Sequence, residues 1–157
     1  MTMPFDKILF CTDFSEDADF ALLTALDMAD KYQARLYILH VLHSPYQSMP
    51  HKIEASERRA GEALFSPELL IKGAEKLKER YGANLGPLKN NYEFHVAWGV
   101  PFMKIIRFAR AHQVNYIVLG AAGSSNVERL SFGSTAENVA RRAHCTVMIT
   151  RNPEKNL

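Results

Sequence analysis

Gly120-Ala121-Ala122-Gly123 is followed, nine residues later, by Gly133-Ser134. A short apolar run, Tyr116-Ile117-Val118-Leu119, leads into the first glycines, and the last one opens a helical pattern from Thr135 to His144. A strand, a glycine-punctuated loop and a helix start together present backbone N–H groups to an anion, and the helix end adds the positive pole of its dipole. Glycine has no Cβ, so an anion approaches the main chain closely there. These residue types at this spacing predict a phosphate site, and a nucleotide is the class of ligand that brings one.

Simpler explanations compete with that chemistry. Ser134-Thr135-Ala136-Glu137 fits a capping box, with Ser134 as N-cap and Glu137 reaching back. The two readings are compatible, because a capped helix still offers free N–H groups. Asp13 reads either as a helix N-cap before Glu16 or as the acceptor for a ribose hydroxyl or an adenine amine. The standard phosphate motifs are absent. A Walker loop needs a lysine before its Ser/Thr, which Gly133-Ser134-Thr135 lacks. A dinucleotide G-x-G-x-x-G should follow the first strand, where Cys11-Thr12-Asp13-Phe14 stands instead.

The elements that must position these residues follow from periodicity. Lys7 to Thr12 reads as a strand buried on both faces, and Ala18, Ala21, Leu22, Ala25, Ala29 and Tyr32 form one face of the helix after it. Arg35 to Leu42 is a second strand, and His43 to about Ala55 has no clear period and reads as a long loop. A charged helical segment begins near Ser56. Ser66-Pro67 restarts it, Leu70, Gly73, Ala74, Leu77 and Tyr81 share a face, and Gly82 is the expected stop. Tyr92 to Trp98 alternates as an edge strand does. Gly99-Val100-Pro101 turns into a helix with Phe102, Ile105, Ile106 and Ala109 aligned, and Tyr116 to Leu119 is the fourth strand. Ala136, Val139, Ala140 and Ala143 give the last helix its apolar face, and Thr146 to Ile149 is the fifth strand. The β-α alternation predicts an α/β fold, a single doubly wound, five-stranded parallel sheet with helices on both faces, and its strand order is taken to be 3-2-1-4-5. In such sheets ligands bind beyond the carboxyl ends of the strands where the winding reverses. If strands one and four flank that point, Asp13 and Gly120 lie on opposite lips of one crevice.

Composition narrows the function classes. Across 157 residues, 47% hydrophobic and 23% charged positions suit one globular domain, taken as 1–151 with 152–157 as a short polar tail. A net charge of +2, with no basic run, argues against nucleic acid, and no window holds the roughly 20 apolar residues of a membrane span. No secretory signal is apparent, and Cys11 and Cys145 suit small core residues of a reducing compartment, so a cytoplasmic location is expected. In the expected order those cysteines lie two strand spacings apart, about 9.6 Å, too far for a disulfide. His40, His43, His51, His95, His112 and His144 show no compact ligand pattern, so no metal site of protein side chains is expected.

The opening Lys7-Ile8-Leu9-Phe10-Cys11-Thr12-Asp13-Phe14-Ser15, the Gly99-Val100-Pro101 turn and Asn115-Tyr116-Ile117-Val118-Leu119-Gly120 resemble the universal stress protein family over nearly the whole chain. Gly120, Gly123, Gly133 and Ser134 match G-x2-G-x9-G-S/T, the signature of its ATP-binding branch. The chain departs from the family pattern at Thr146, where proline is frequent, and at Asn115, where aspartate is common. The resemblance implies adenine near Asp13 and the backbone of Val41, and ribose by Gly120. It also implies phosphates by Gly123, Gly133, Ser134 and Thr135, with Thr12, Leu119 and Ser124 completing the site. ATP, or ADP or AMP, is the implied ligand, with Mg²⁺ or Mn²⁺ carried on the phosphates because no carboxylate cluster is present to hold it.

The fifth strand supplies the partner expectation. In the predicted order it is an edge, yet Val147, Met148 and Ile149 are consecutively apolar, which favours antiparallel pairing with a second copy as a two-fold homodimer. The expected function is a dimeric, ATP-binding regulatory or stress-response protein whose nucleotide state alters contacts with a regulatory partner, as yet unidentified. No general base or positioned lysine of the kind used in phosphoryl transfer stands out, so catalysis is expected to be absent or slow. Slow ATP hydrolysis or autophosphorylation is the alternative, and a nucleotide-free dimeric scaffold is the third reading.

Overall fold

The computed structural model describes residues 5–43, 67–121 and 133–155. Five strands, β1 (Lys7–Thr12), β2 (Arg35–His43), β3 (Tyr92–Gly99), β4 (Tyr116–Gly120) and β5 (Thr146–Thr150), form one sheet. Their order is β3-β2-β1-β4-β5, and every pairing is parallel. Among the described residues, four α-helices lie in the connections: α1 (Glu16–Tyr32), α2 (Pro67–Tyr81), α3 (Pro101–Ala111) and α4 (Ser134–Arg142). The predicted topology is the observed one.

β1 is the central strand, and its Ile8 is in register with Leu36 on one side and Tyr116 on the other. Alternate residues serve two cores. Ile8, Phe10, Leu36, Ile38 and Val118 pack under α1 and α2, with Ala21, Ala25 and Leu77. Leu9, Tyr37, Leu39, Ile117 and Leu119 pack under α3 and α4, with Ile105, Ala109 and Val139. A strand with helices on both faces must be apolar at every position, which is why the short runs read as continuous rather than alternating.

The alanine face of α1 is buried at Ala18, Ala21, Ala25 and Ala29, so the helix lies low on β1 and β4. Tyr32 does not join that face. It is 45% exposed and stacks on Phe5, because the helix ends there and Gln33 turns into the left-handed region (φ 54°). On α2, Gly73 fits tightly over β3: an added Cβ would lie 3.0 Å from Val96 Cγ1. The α-helix stops at Gly82, as expected, but the chain does not turn away there. A 3-10 helix, Gly82–Leu88, continues from Tyr81 and buries Leu85 and Leu88 in the first core. Ala140 on α4 is exposed, and Ala136 and Val139 alone form its deeply buried contact.

Between β3 and α3 the main chain reverses at Gly99, whose φ of 145° is one that glycine alone adopts freely. Pro101 then occupies the first turn of α3, where a missing N–H costs nothing. From β1 the chain winds outward through β2 to β3, and α3 carries it back across to β4. The winding therefore reverses between β1 and β4.

Leu77 is fully buried between α2 and the sheet. Replacing it by alanine should lower unfolding free energy by about 2–5 kcal/mol in a denaturant titration. A loss below about 1 kcal/mol would mean that α2 is not part of the cooperative core.

Candidate functional site

At the carboxyl edge of the sheet, a cleft of about 540 Å³ opens where the winding reverses. Parallel βα units place the N-terminus of each following helix at that edge, so α1, α3 and α4 all begin around it. Thr12, Asp13, Val41, Leu119, Gly120, Gly133, Ser134 and Thr135 all line this cleft. Gly123 and Ser124, also expected there, lie outside the described residues. Leu39, Ile105 and Phe102 add apolar surface to the wall formed by Val41 and Leu119.

On the β1 side, Asp13 is exposed and its Oδ1 accepts the Ser15 N–H at 3.0 Å. The N-cap of α1 is Ser15, whose Oγ accepts from Ala18 N at 3.2 Å. The alternative of Asp13 as the cap is thereby set aside. Cys11, beneath this turn, is buried, and burial pushes its thiol far above the ordinary value; Cys11 and Cys145 are both free. An inert core thiol is the consequence.

On the β4 side the loop is closed at its base. Ala121 donates to the Thr150 carbonyl at 2.9 Å, and the Gly133 N–H donates to the Ala121 carbonyl at 2.7 Å. The N-cap of α4 is Gly133, without a side-chain cap bond, and Ser134 is the first helical residue. The capping box is not formed. The first α-helical hydrogen bond already runs from Glu137 N to Gly133 O, and the Glu137 carboxylate instead pairs with Arg141 at 3.0 Å. The N–H groups of Ser134, Thr135 and Ala136 consequently have no acceptor inside the helix, and all three residues line the cleft. This end of α4 suits an anion.

Asn138, one turn into α4, also reaches the cleft and was not among the expected residues. Its Nδ2 donates to the Ser134 carbonyl at 2.8 Å, and its Oδ1 accepts from Arg142 at 2.5 Å. The available signal was its position four residues beyond Ser134, on the same helical face. Among the described residues, no three His, Cys, Asp or Glu side chains are grouped to hold a metal ion.

Gly120 owes its identity to packing. A Cβ there would lie 2.8 Å from the Asp17 carbonyl carbon and 3.0 Å from Ala18 N, in the first turn of α1. Gly120→Ala should therefore displace that turn and destabilise the fold by about 1–3 kcal/mol without any ligand present. A ligand-free variant with unchanged melting temperature would return Gly120 to a purely ligand-facing role.

His40, the β2 partner of Thr12, places Nδ1 2.8 Å from the Thr12 carbonyl oxygen. A carbonyl only accepts, so Nδ1 carries the proton and the neutral ring keeps its lone pair on Nε2. Burial lowers the pKa of His40 below its ordinary 6.5, opposed by the Thr12 hydrogen bond, reinforced by Lys76 and opposed again by Asp13. A depressed folded pKa contributes stability that is complete above about 6.5 and lost as pH falls through the folded value. Melting temperature should thus decline between about pH 7 and 5, and His40→Gln should flatten that segment. An unchanged slope in the variant would assign the decline to other groups.

The sequence profile of the universal stress protein family matches residues 4–151. The universal stress protein MJ0531 of Methanocaldococcus jannaschii is 29% identical over 153 residues, covering 96% of this chain and 85% of that protein. The structure of the universal stress protein UspA from Lactobacillus plantarum superposes with a TM-score of 0.75 at 26% identity, covering 96% of this chain and all of that one. A universal stress protein solved in complex with cAMP shares the fold at a TM-score of 0.61 and 20% identity, covering 94% and 97% of the two chains.

Proposed function

The chain belongs to the universal stress protein family, and from that premise we propose that its cleft binds an adenine nucleotide and that the protein is a dimeric, nucleotide-dependent regulatory switch. One observation carries this reading. An exposed carboxylate, an apolar wall and an uncapped helix start face the same cleft. Asp13 accepts from the adenine amine or a ribose hydroxyl, the base lies against Val41 and Leu119, and the α4 N–H groups receive phosphate. Gly123 and Ser124 complete the phosphate loop in this reading. The universal stress protein bound to cAMP supports an adenine ligand. ATP, ADP and AMP are the candidates, with Mg²⁺ or Mn²⁺ carried by the phosphates.

The homodimer belongs to the same proposal. β5 is an edge of the sheet, and its Val147, Met148 and Ile149 are half-buried within one chain. An antiparallel partner strand would cover their unpaired backbone and the apolar surface beside it. A cytoplasmic setting and a regulatory protein partner complete the reading. Among the described residues, no helix is long and apolar enough to cross a membrane.

Protein purified without added nucleotide should release adenine nucleotide on denaturation, or else bind one in calorimetry with Mg²⁺ present. A ligand at 100 times its Kd should raise folding stability by about 2.7 kcal/mol. Asp13→Ala should weaken binding of AMP by about tenfold, as expected for one charge-assisted hydrogen bond of about 1.5 kcal/mol. No released nucleotide, no heat and no melting shift with ATP, ADP, AMP or cAMP would sink the proposal.

A further inference from the structure

Phe14, next to Asp13, has φ 64°, a conformation that a bulky residue holds only when its surroundings impose it. Those surroundings come from α2. The Phe14 ring lies parallel to the Tyr81 ring at 6.1 Å and 8°, and Lys76 Nζ sits 4.2 Å from its centroid. His40 closes the other side at 4.4 Å.

Beneath the rings runs a hydrogen-bonded chain whose direction follows from chemistry. Tyr81 Oη lies 2.8 Å from Asp19 Oδ1 and 2.6 Å from Thr12 Oγ1, and the Phe14 N–H lies 2.9 Å from Thr12 Oγ1. An ionised carboxylate only accepts, so Tyr81 donates to Asp19. Tyr81 must then accept from the Thr12 hydroxyl, whose lone pair receives the Phe14 N–H. Arg80 fixes the terminal carboxylate through Nε at 3.0 Å and a second nitrogen at 2.5 Å. Burial pushes the Asp19 carboxyl up, yet the Arg80 and Tyr81 donors outweigh it and leave the group below its ordinary value. Burial, foremost, raises the Tyr81 phenol to about 12, so it remains a donor throughout the physiological range. Each bond polarises the next.

We infer that Tyr81, which does not line the cleft, is a positioning residue: through Thr12 and Phe14 it holds the Asp13 turn, so that the seating of α2 sets the cleft's affinity for the nucleoside part of its ligand. This rests on the adenine-nucleotide reading of the cleft. The α4 helix start lies across the cleft and owes nothing to Tyr81, so the two halves of the ligand respond differently to its loss.

The test uses the full chain with Tyr81→Phe, which removes one hydroxyl and keeps the ring. Asp19→Asn, which keeps an acceptor but loses the Arg80 ion pair, is the second variant. Amide hydrogen exchange on ligand-free protein should show Phe14 and Ser15 exchanging at least about tenfold faster in Tyr81→Phe, with Val118 and Val139 unchanged. The same pattern, smaller, is expected for Asp19→Asn. In calorimetry, AMP binding should weaken about tenfold in Tyr81→Phe, while inorganic tripolyphosphate stays within about twofold. Unchanged exchange at Phe14 and Ser15 would overturn the inference. So would a uniform rise across the core, or equal weakening of AMP and tripolyphosphate, because each assigns Tyr81 to general stability. If the wild-type chain bound no adenine nucleotide, that reading of the cleft would fail, and exchange alone would decide whether Tyr81 positions the turn.

Discussion

The two-sided pairing of β1 is the constraint on which the structure depends. It is parallel to β2 on one edge and β4 on the other, and Ile8, Leu9 and Phe10 are fully buried beneath helices on both faces. The strand, buried along its length after Lys7, delivers its polar residues at its carboxyl end. There Thr12 and Asp13 meet Gly120 from β4. The cleft is the gap left because the chain winds away from this point in both directions.

That geometry also sets the electrostatics. A parallel sheet directs the starts of α1, α3 and α4 to one edge, and unsatisfied N–H groups gather there without any basic side chain having to supply charge. α1 spends its start on the Ser15 cap, and α3 begins with proline at the missing donor. α4 alone has neither a side-chain cap nor a proline, and its acidic first-turn residue, Glu137, is drawn away by Arg141. The α4 start therefore presents its free N–H groups on one wall of the cleft, opposite the carboxylate of Asp13.

The two faces of the sheet contribute unequally to this edge. α3 and α4 build the apolar and N–H-bearing walls directly, through Phe102, Ile105 and Ala136. α1 and α2 act from behind: Asp17 and Ala18 set the depth at which Gly120 sits, and Tyr81 with Asp19 braces Thr12. The close packing of Gly120 on α1 makes the first turn of that helix part of the cleft's framework, although only Ala18 of that turn, with the N-cap Ser15, lines the cleft.

Much of this was legible in the residues alone. Continuous apolar runs marked β1 to its end residues, the β-α alternation implied a parallel sheet covered by helices, and Gly120 and Gly133 marked where β4 ends and α4 begins. These are local signals, written in periodicity and in residues with special backbone freedom. What stayed hidden were features made by segments far apart in the chain. Ser134 looked like a cap because its neighbours fit the motif, but the Glu137 N–H bonds to the Gly133 carbonyl and the helix begins one residue earlier. Tyr32 looked buried by period, but α1 ends beside Phe5 rather than over the core. Tyr81 read as one more apolar position on α2, whereas its hydroxyl is partnered by Thr12, 69 residues earlier in the chain. The sequence by itself determined which elements form and which ends carry polar, glycine-rich chemistry, because those depend on local propensity and pattern. Only the tertiary structure decided that Gly120 yields its Cβ to α1 and that Tyr81 supports the Asp13 turn, because contact between distant segments exists only once the sheet has brought them together.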